Sequence, residues 1–218
     1  MAFKTIAFTC SLTFAFSAFG YLYWYQPVSG NITQKTNTAF LEKKTKDKAE
    51  ISVRIKQKAG QAKEYISDHG FDAVHCFLLD MRIASGKNRF FVYNLEKDSV
   101  EMAGLVSHGG GSENGSDGLI FSNTPNSYCT SLGKYKIGNG YYGNFGLAYK
   151  LYGLEPSNSK AYDRFIVLHA YDCVPDKEVY PFPICLSQGC PTVSGSFLTR
   201  LTDYIAESRV PIMMWIYD

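Results

Sequence analysis

Ile51, Ile55, Ala59, Ala62 and Ile66 recur at intervals of three and four, the spacing that lines residues up on one side of an α-helix. An amphipathic helix is therefore predicted over residues 51–67, its apolar stripe laid on a domain and its lysines facing solvent. Beyond Asp68 the period shortens. Runs rich in β-branched and aromatic residues, separated by Gly, Asn, Ser and Pro, predict seven strands at 75–83, 89–95, 100–107, 128–137, 141–154, 165–171 and 211–217. One further helix is predicted at 195–208, where Phe197, Leu198, Leu201 and Ile205 share a face and Ser194 suits the N-cap. Seven strands with a helix on either side predict a mainly β fold, a mixed β-sandwich or barrel over residues 68–218. No internal repeat interrupts it.

The start of the chain is different. Residues 5–25 carry no charge and follow a single Lys4, the signature of an export signal. Ala18-Phe19-Gly20 supplies small residues for cleavage. The same length suits an uncleaved anchor, with Tyr21, Tyr23, Trp24 and Tyr25 as an interfacial belt and the segment as a membrane tether. Either reading exports the body of the protein to the periplasm or cell envelope. Residues 26–50 are polar and Lys-rich and read as a tether with some helix, so that 26–67 links the leader to the domain.

Composition narrows the function classes. The 218 residues are 45% hydrophobic and 19% charged, with a formal charge of +2, enough for one substantial core and no global basic field for nucleic acid. Positive charge is confined to residues 35–64, with nine basic and four acidic residues. These read as a solvated helix face, or as attraction to anionic phospholipid or wall polymer.

The chemistry-bearing pattern is an apolar stretch, Arg164-Phe165-Ile166-Val167-Leu168-His169, followed at a distance by Ser187-Gln188-Gly189-Cys190-Pro191. A thiol nucleophile needs a nearby base and a backbone that admits N–H groups to the oxyanion. His169, Cys190 and Gly189 meet those needs. A capped core strand and an ordinary buried thiol would give the same residues. Strand alternation turns Arg164 away from His169, so no catalytic role is assigned to it.

Six blocks in order, DMRIASGKNRFFVYNL, SHGGGS, FSNTPNSYCTSLGKY, YGNFGLAYKLYGL, NSKAYDRFIVLH and SQGCPTVS, resemble the YkuD-like L,D-transpeptidases in their murein L,D-transpeptidase catalytic-domain branch. They span about residues 65–218. The resemblance implies a mainly β fold, no cofactor or metal, and acyl transfer on peptidoglycan stem tetrapeptides. Cys190 would be the nucleophile, His169 the base, and the Gly189 and Cys190 N–H groups the oxyanion donors. Release of the terminal D-alanine would leave a thioester that an amine resolves as a cross-link, or water by hydrolysis as a carboxypeptidase. This chain has Gln188 where many members have a second histidine, and Pro191-Thr192 where they have Arg or Asn. His108 in the HGGGS turn is the candidate to supply the missing imidazole, with an exposed turn histidine as the alternative.

Ser122, Asn123 and Ser187 are candidate hydrogen-bonding groups for a stem peptide, and Tyr142, with Tyr141, a candidate aromatic contact, although turn and core roles suit these residue types equally. His69 and His75 read as structural or exposed. The five cysteines after the leader allow two disulfides and one free thiol. His169, Cys173, Cys185 and Cys190 could instead make a structural zinc module. A non-catalytic wall-binding module is a third alternative.

Overall fold

The computed structural model describes residues 31–113 and 118–218. The leader expected at residues 1–25 lies outside them, as do the first residues of the tether. Among the described residues no helix is long and apolar enough to cross a membrane. Two compact units divide the chain, Met1–Ile51 and Ser52–Asp218. In the first, the described residues form the opening turns of helix α1 (Asn31–His69). In the second, α1 buries Ile55, Ala59, Ala62 and Ile66 to 5% exposure or less, as its stripe predicts. Arg54 is anchored to the buried Asp80 carboxylate at 2.9 Å.

The strands are β1 (His75–Asp80), β2 (Phe90–Asn94), β3 (Ser99–Gly104), β4 (Gly133–Gly143), β5 (Gly146–Gly153), β6 (Val167–Ala170), β7 (Thr192–Val193) and β8 (Met213–Tyr217), with helix α2 (Gly195–Glu207) between the last two. They form one mixed sheet in the order β3-β2-β1-β8-β4-β5-β6-β7. The β1–β8 and β6–β7 pairs are parallel and the rest antiparallel. The chain leaving β3 then turns back onto the far end of the sheet: Ser107 N–H donates to Thr192 O at 2.9 Å, and Ser187 N–H to His108 O at 2.9 Å. The sheet thus curls until its two ends meet, which gives the expected mainly β body a barrel-like closure. The core lies between the sheet and α2, with Phe77, Phe90, Tyr135, Leu151, Leu168, Phe197 and Leu201 buried in one cluster. Ser194 caps α2 by accepting from Phe197 N–H at 3.2 Å.

The hairpin is placed differently from the expectation. Gly138-Asn139-Gly140 reads as a turn, yet β4 runs through it with a register shift between Ile137 and Gly140. A β-bulge places an extra residue in one strand without reversing it. The reversal comes later, at Asn144-Phe145 between Gly143 and Gly146. β7 was not expected, because two residues are too short to show a period.

Candidate active site

His169 lies near the end of β6, held between Ala148 of β5 and Thr192 of β7. Cys190 precedes Thr192 by two residues, so the β6–β7 pairing carries the thiol to the strand that carries the imidazole. Cys190 Sγ accepts from Val167 N–H at 3.5 Å and donates to Phe165 O at 3.7 Å. Two backbone groups just upstream of His169 therefore pin the thiol. Phe165 adopts φ +57, a left-handed conformation uncommon for a bulky residue, and its carbonyl reaches the sulfur while its ring is exposed.

The loop that presents Cys190 depends on Gly189, whose φ is +110. A Cβ there would stand 2.9 Å from Cys129 O and 3.3 Å from Arg164 Nη2, so neither the backbone angle nor the space admits a side chain. The Gly-rich turn supports the loop from behind: a Cβ at Gly109 would lie 2.8 Å from Gly189 Cα, and Gly109 bridges to Ser187 in parallel. Ser187 Oγ donates to Cys190 O at 2.6 Å and accepts from Gly189 N–H at 3.1 Å. These bonds fix the turn around the thiol.

Arg164 underlies the same loop. Its guanidinium donates to Ser122 O (2.9 Å), Ser131 Oγ (2.8 Å) and Cys129 O (2.6 Å). Burial raises the Cys190 thiol pKa, while the Val167 N–H and the Arg164 charge draw it back. Burial also lowers the His169 pKa, against the bond from Nδ1 to Ala170 O at 2.7 Å. At neutral pH both groups are uncharged. Since Nδ1 must carry its hydrogen to donate to a carbonyl, Nε2 is left as a lone-pair base. Phe145, at the tip of the β4–β5 hairpin, stacks on the imidazole at 4.2 Å and 23°. The arrangement can perform thiol acyl transfer with a neutral base.

A sequence model described as L,D-transpeptidase catalytic domain matches residues 47–216. The chain belongs to that family. Among solved structures, the helical cell shape determining protein Pgp2 from Campylobacter jejuni is similar at 14% identity and TM-score 0.42, over 66% of this chain and 48% of that one. An L,D-transpeptidase from Xylanimonas cellulosilytica is similar at 15% identity and TM-score 0.36, over 71% and 68%. The chain thus spans about half the length of Pgp2. Among curated protein sequences, none matches this chain.

In this L,D-transpeptidase domain Ser187, Gly189 and Cys190 share one loop, and Thr192, two residues after Cys190, pairs with His169; the other expected site residues lie elsewhere. His108 is buried at 3% exposure, neither exposed nor open to the cleft. Its Nδ1 accepts from Arg89 Nη2 at 2.8 Å and its Nε2 donates to Glu113 Oε1 at 2.7 Å. With both nitrogens committed, it has no free imidazole nitrogen to offer a substrate; burial, then the Arg89 charge, lowers its pKa. Ser187 is a brace inside the loop. Ser122 Oγ accepts from Thr124 N–H, while Asn123 donates to Pro156 O and Ser159 Oγ and accepts from Lys160 N–H, so both are committed to turns. Tyr142 pairs with Leu147, whereas Tyr141 pairs with Ala148 and hence shares the face of His169. The aromatic ring recorded on the imidazole is that of Phe145.

The Gly189 N–H, expected to bind the oxyanion, is taken by Ser187. The Cys190 N–H has no acceptor among the described residues. The zinc reading fails on its own ligands, because Cys173 and Cys185 are joined in a disulfide. Cys190 remains a free thiol. As expected, His75 and His69 are structural, the first bonded to Glu101 and the second stacked on Tyr65. Sequence reasoning missed Arg164 and Phe145. The alternation argument against Arg164 presumed a strand that begins only at Val167; its place five residues before His169, with three serines in the block 122–131, was the available signal.

Proposed function

We propose that this domain is a cysteine acyltransferase of the cell wall, acting on peptidoglycan stem tetrapeptides with Cys190 as nucleophile and His169 as base. The observation that carries the reading is the free Cys190 thiol on the loop leading into β7, the strand paired with β6, together with a His169 tautomer that leaves Nε2 unprotonated. As Sγ attacks the carbonyl of the third stem residue, its proton passes to Nε2. The tetrahedral oxyanion is stabilised by the Cys190 N–H. Collapse breaks the peptide bond, His169 returns the proton to the departing D-alanine amine, and a thioester remains on Cys190. An acceptor amine then attacks, gives its proton to His169, and the thiolate leaves and is reprotonated.

Export of the domain fits this substrate, and the Cys173–Cys185 disulfide supports an oxidising compartment. The test is product analysis after incubation of the full chain with purified tetrapeptide muropeptides. Cross-linked dimers support the transpeptidase, and tripeptides alone the carboxypeptidase. Products that persist in Cys190→Ala, or full activity in His169→Ala, overturn the assignment; stem binding without turnover leaves the binding module.

A further inference from the structure

Strand pairing fixes which side chains share a face with His169, since paired residues on neighbouring strands point to the same side of a sheet. His169 pairs with Ala148, and Ala148 with Tyr141. Two residues along β5, Lys150 pairs with Val167, whose N–H holds the Cys190 sulfur. Two further, Tyr152 pairs with Lys136. Tyr141, Lys150, Tyr152 and Lys136 therefore lie on the face of His169, while Tyr149, Leu151 and Leu168 fill the core on the other.

This face is organised as a stripe of cations set against rings. Lys150 Nζ stands 5.7 Å from the Tyr141 centroid and 5.2 Å from that of Tyr162. Lys136 Nζ stands 4.9 Å from Tyr152, whose ring stacks on Tyr162 at 5.3 Å. Three other lysines of the domain have carboxylate partners: Lys134 with Glu155, Lys97 with Glu101, Lys56 with Asp98. Among the described residues, Lys136 and Lys150 form no such pair. Two charges on the face of His169 thus lack a carboxylate partner, while ring contacts limit their rotamers. An ammonium preorganised in this way loses less freedom when an anion binds.

We infer that the Lys150–Lys136 stripe is the subsite for the carboxylate-bearing part of the donor stem peptide. The inference rests on the acyl-transfer reading and adds what selects the substrate. Ala148 and Tyr152 are four steps apart on β5, about 13 Å at the rise of a strand, room for a few residues of extended peptide laid from His169 along the stripe. Lys150, nearest to Val167, meets the carboxylate closest to the scissile bond, and Lys136 meets one farther out.

The test compares initial rates of the full chain on an acidic tetrapeptide stem and on one whose carboxylates upstream of the scissile bond are amidated. Charge-assisted hydrogen bonds of this kind predict that amidation raises KM about ten- to a hundredfold in the wild type. Lys150→Gln combined with Lys136→Gln should raise KM on the acidic stem by a similar factor, with kcat changed far less, and add nothing on the amidated stem. Lys150→Arg should keep the preference. Equal effects of the double variant on both stems, or none, overturn the inference. If the wild type turns over neither stem, the fault lies with the acyl-transfer reading, and calorimetry on Cys190→Ala then tests the stripe alone: a preference for the acidic stem sustains it and equal binding of both stems overturns it. Loss of binding to phosphatidylglycerol vesicles with unchanged stem kinetics would also overturn it, assigning the stripe to a polyanion surface.

Discussion

Gly189→Ala probes the part of the site that is most exacting. The residue holds φ +110, where an L side chain costs about 1–3 kcal/mol. The added methyl would also stand 2.9 Å from Cys129 O, 3.2 Å from Ile166 Cδ1 and 3.3 Å from Arg164 Nη2. Two of these neighbours are themselves bonded together, Arg164 Nη2 donating to Cys129 O at 2.6 Å, so neither yields without disturbing the other. Overpacking adds about 1–3 kcal/mol, and relief by a shift of the loop carries Cys190 with it. A combined loss of about 2–6 kcal/mol lowers Tm by roughly 4–24 °C in a domain of this size. A displacement near 1 Å at the nucleophile slows acylation about a hundredfold. Thermal unfolding followed by circular dichroism and single-turnover acylation read by mass spectrometry check the two effects separately. A variant with Tm within 2 °C of the wild type and unchanged acylation would refute the argument that the loop requires glycine.

Replacing Arg164 by Gln removes the cation that lowers the Cys190 pKa and leaves Cys129 O short of a donor; iodoacetamide alkylation across pH should show the thiol titrating higher, and acylation should slow by at least tenfold, about 1.4 kcal/mol. His108 and His169 both have pKa values lowered from 6.5 in the fold, so the unfolded chain binds more protons. The stability they contribute is complete above pH 6.5 and is lost as the pH falls toward their folded values; urea midpoints measured from pH 8 to 5 should decline, and a midpoint that rises on acidification would contradict the buried neutral state. Cys173→Ser with Cys185→Ser opens a loop of sequence separation 12, for an expected loss of about 2–3 kcal/mol in unfolding free energy. The Cys190 thiol should remain reactive in that variant, as an alkylation count would show.

How far these features were legible in the sequence depended on the range of the interactions that set them. The α1 stripe, the α2 cap at Ser194 and most strands rest on local periodicity or capping, and the structure has them where the pattern places them. The hairpin turn was misplaced because Gly-Asn-Gly fits a bulge as well as a turn, and only pairing with β5 decides between them. The β6–β7 register sets Thr192, two residues after Cys190, opposite His169, and Cys190 and His169 were singled out by residue type, order and the family resemblance. What surrounds them was not: Arg164 reaches back to Ser122, Ser131 and Cys129, and Phe145 arrives from another hairpin. His108 was misjudged for the same reason, since its partner Arg89 lies 19 residues away on the buried side. The sheet closure also escaped notice, because the segment after β3 meets β7 across more than 80 residues of sequence.

The central claim is that Cys190 becomes acylated through a base held by β6. Intact mass of the full chain, taken during incubation with tetrapeptide muropeptides under reducing conditions, tests it most directly. The account predicts an adduct on Cys190 equal to the stem less its terminal D-alanine, absent in Cys190→Ala and slowed by orders of magnitude in His169→Ala. A wild-type chain that stays unmodified while its thiol is free, or an adduct that persists in Cys190→Ala, would contradict it.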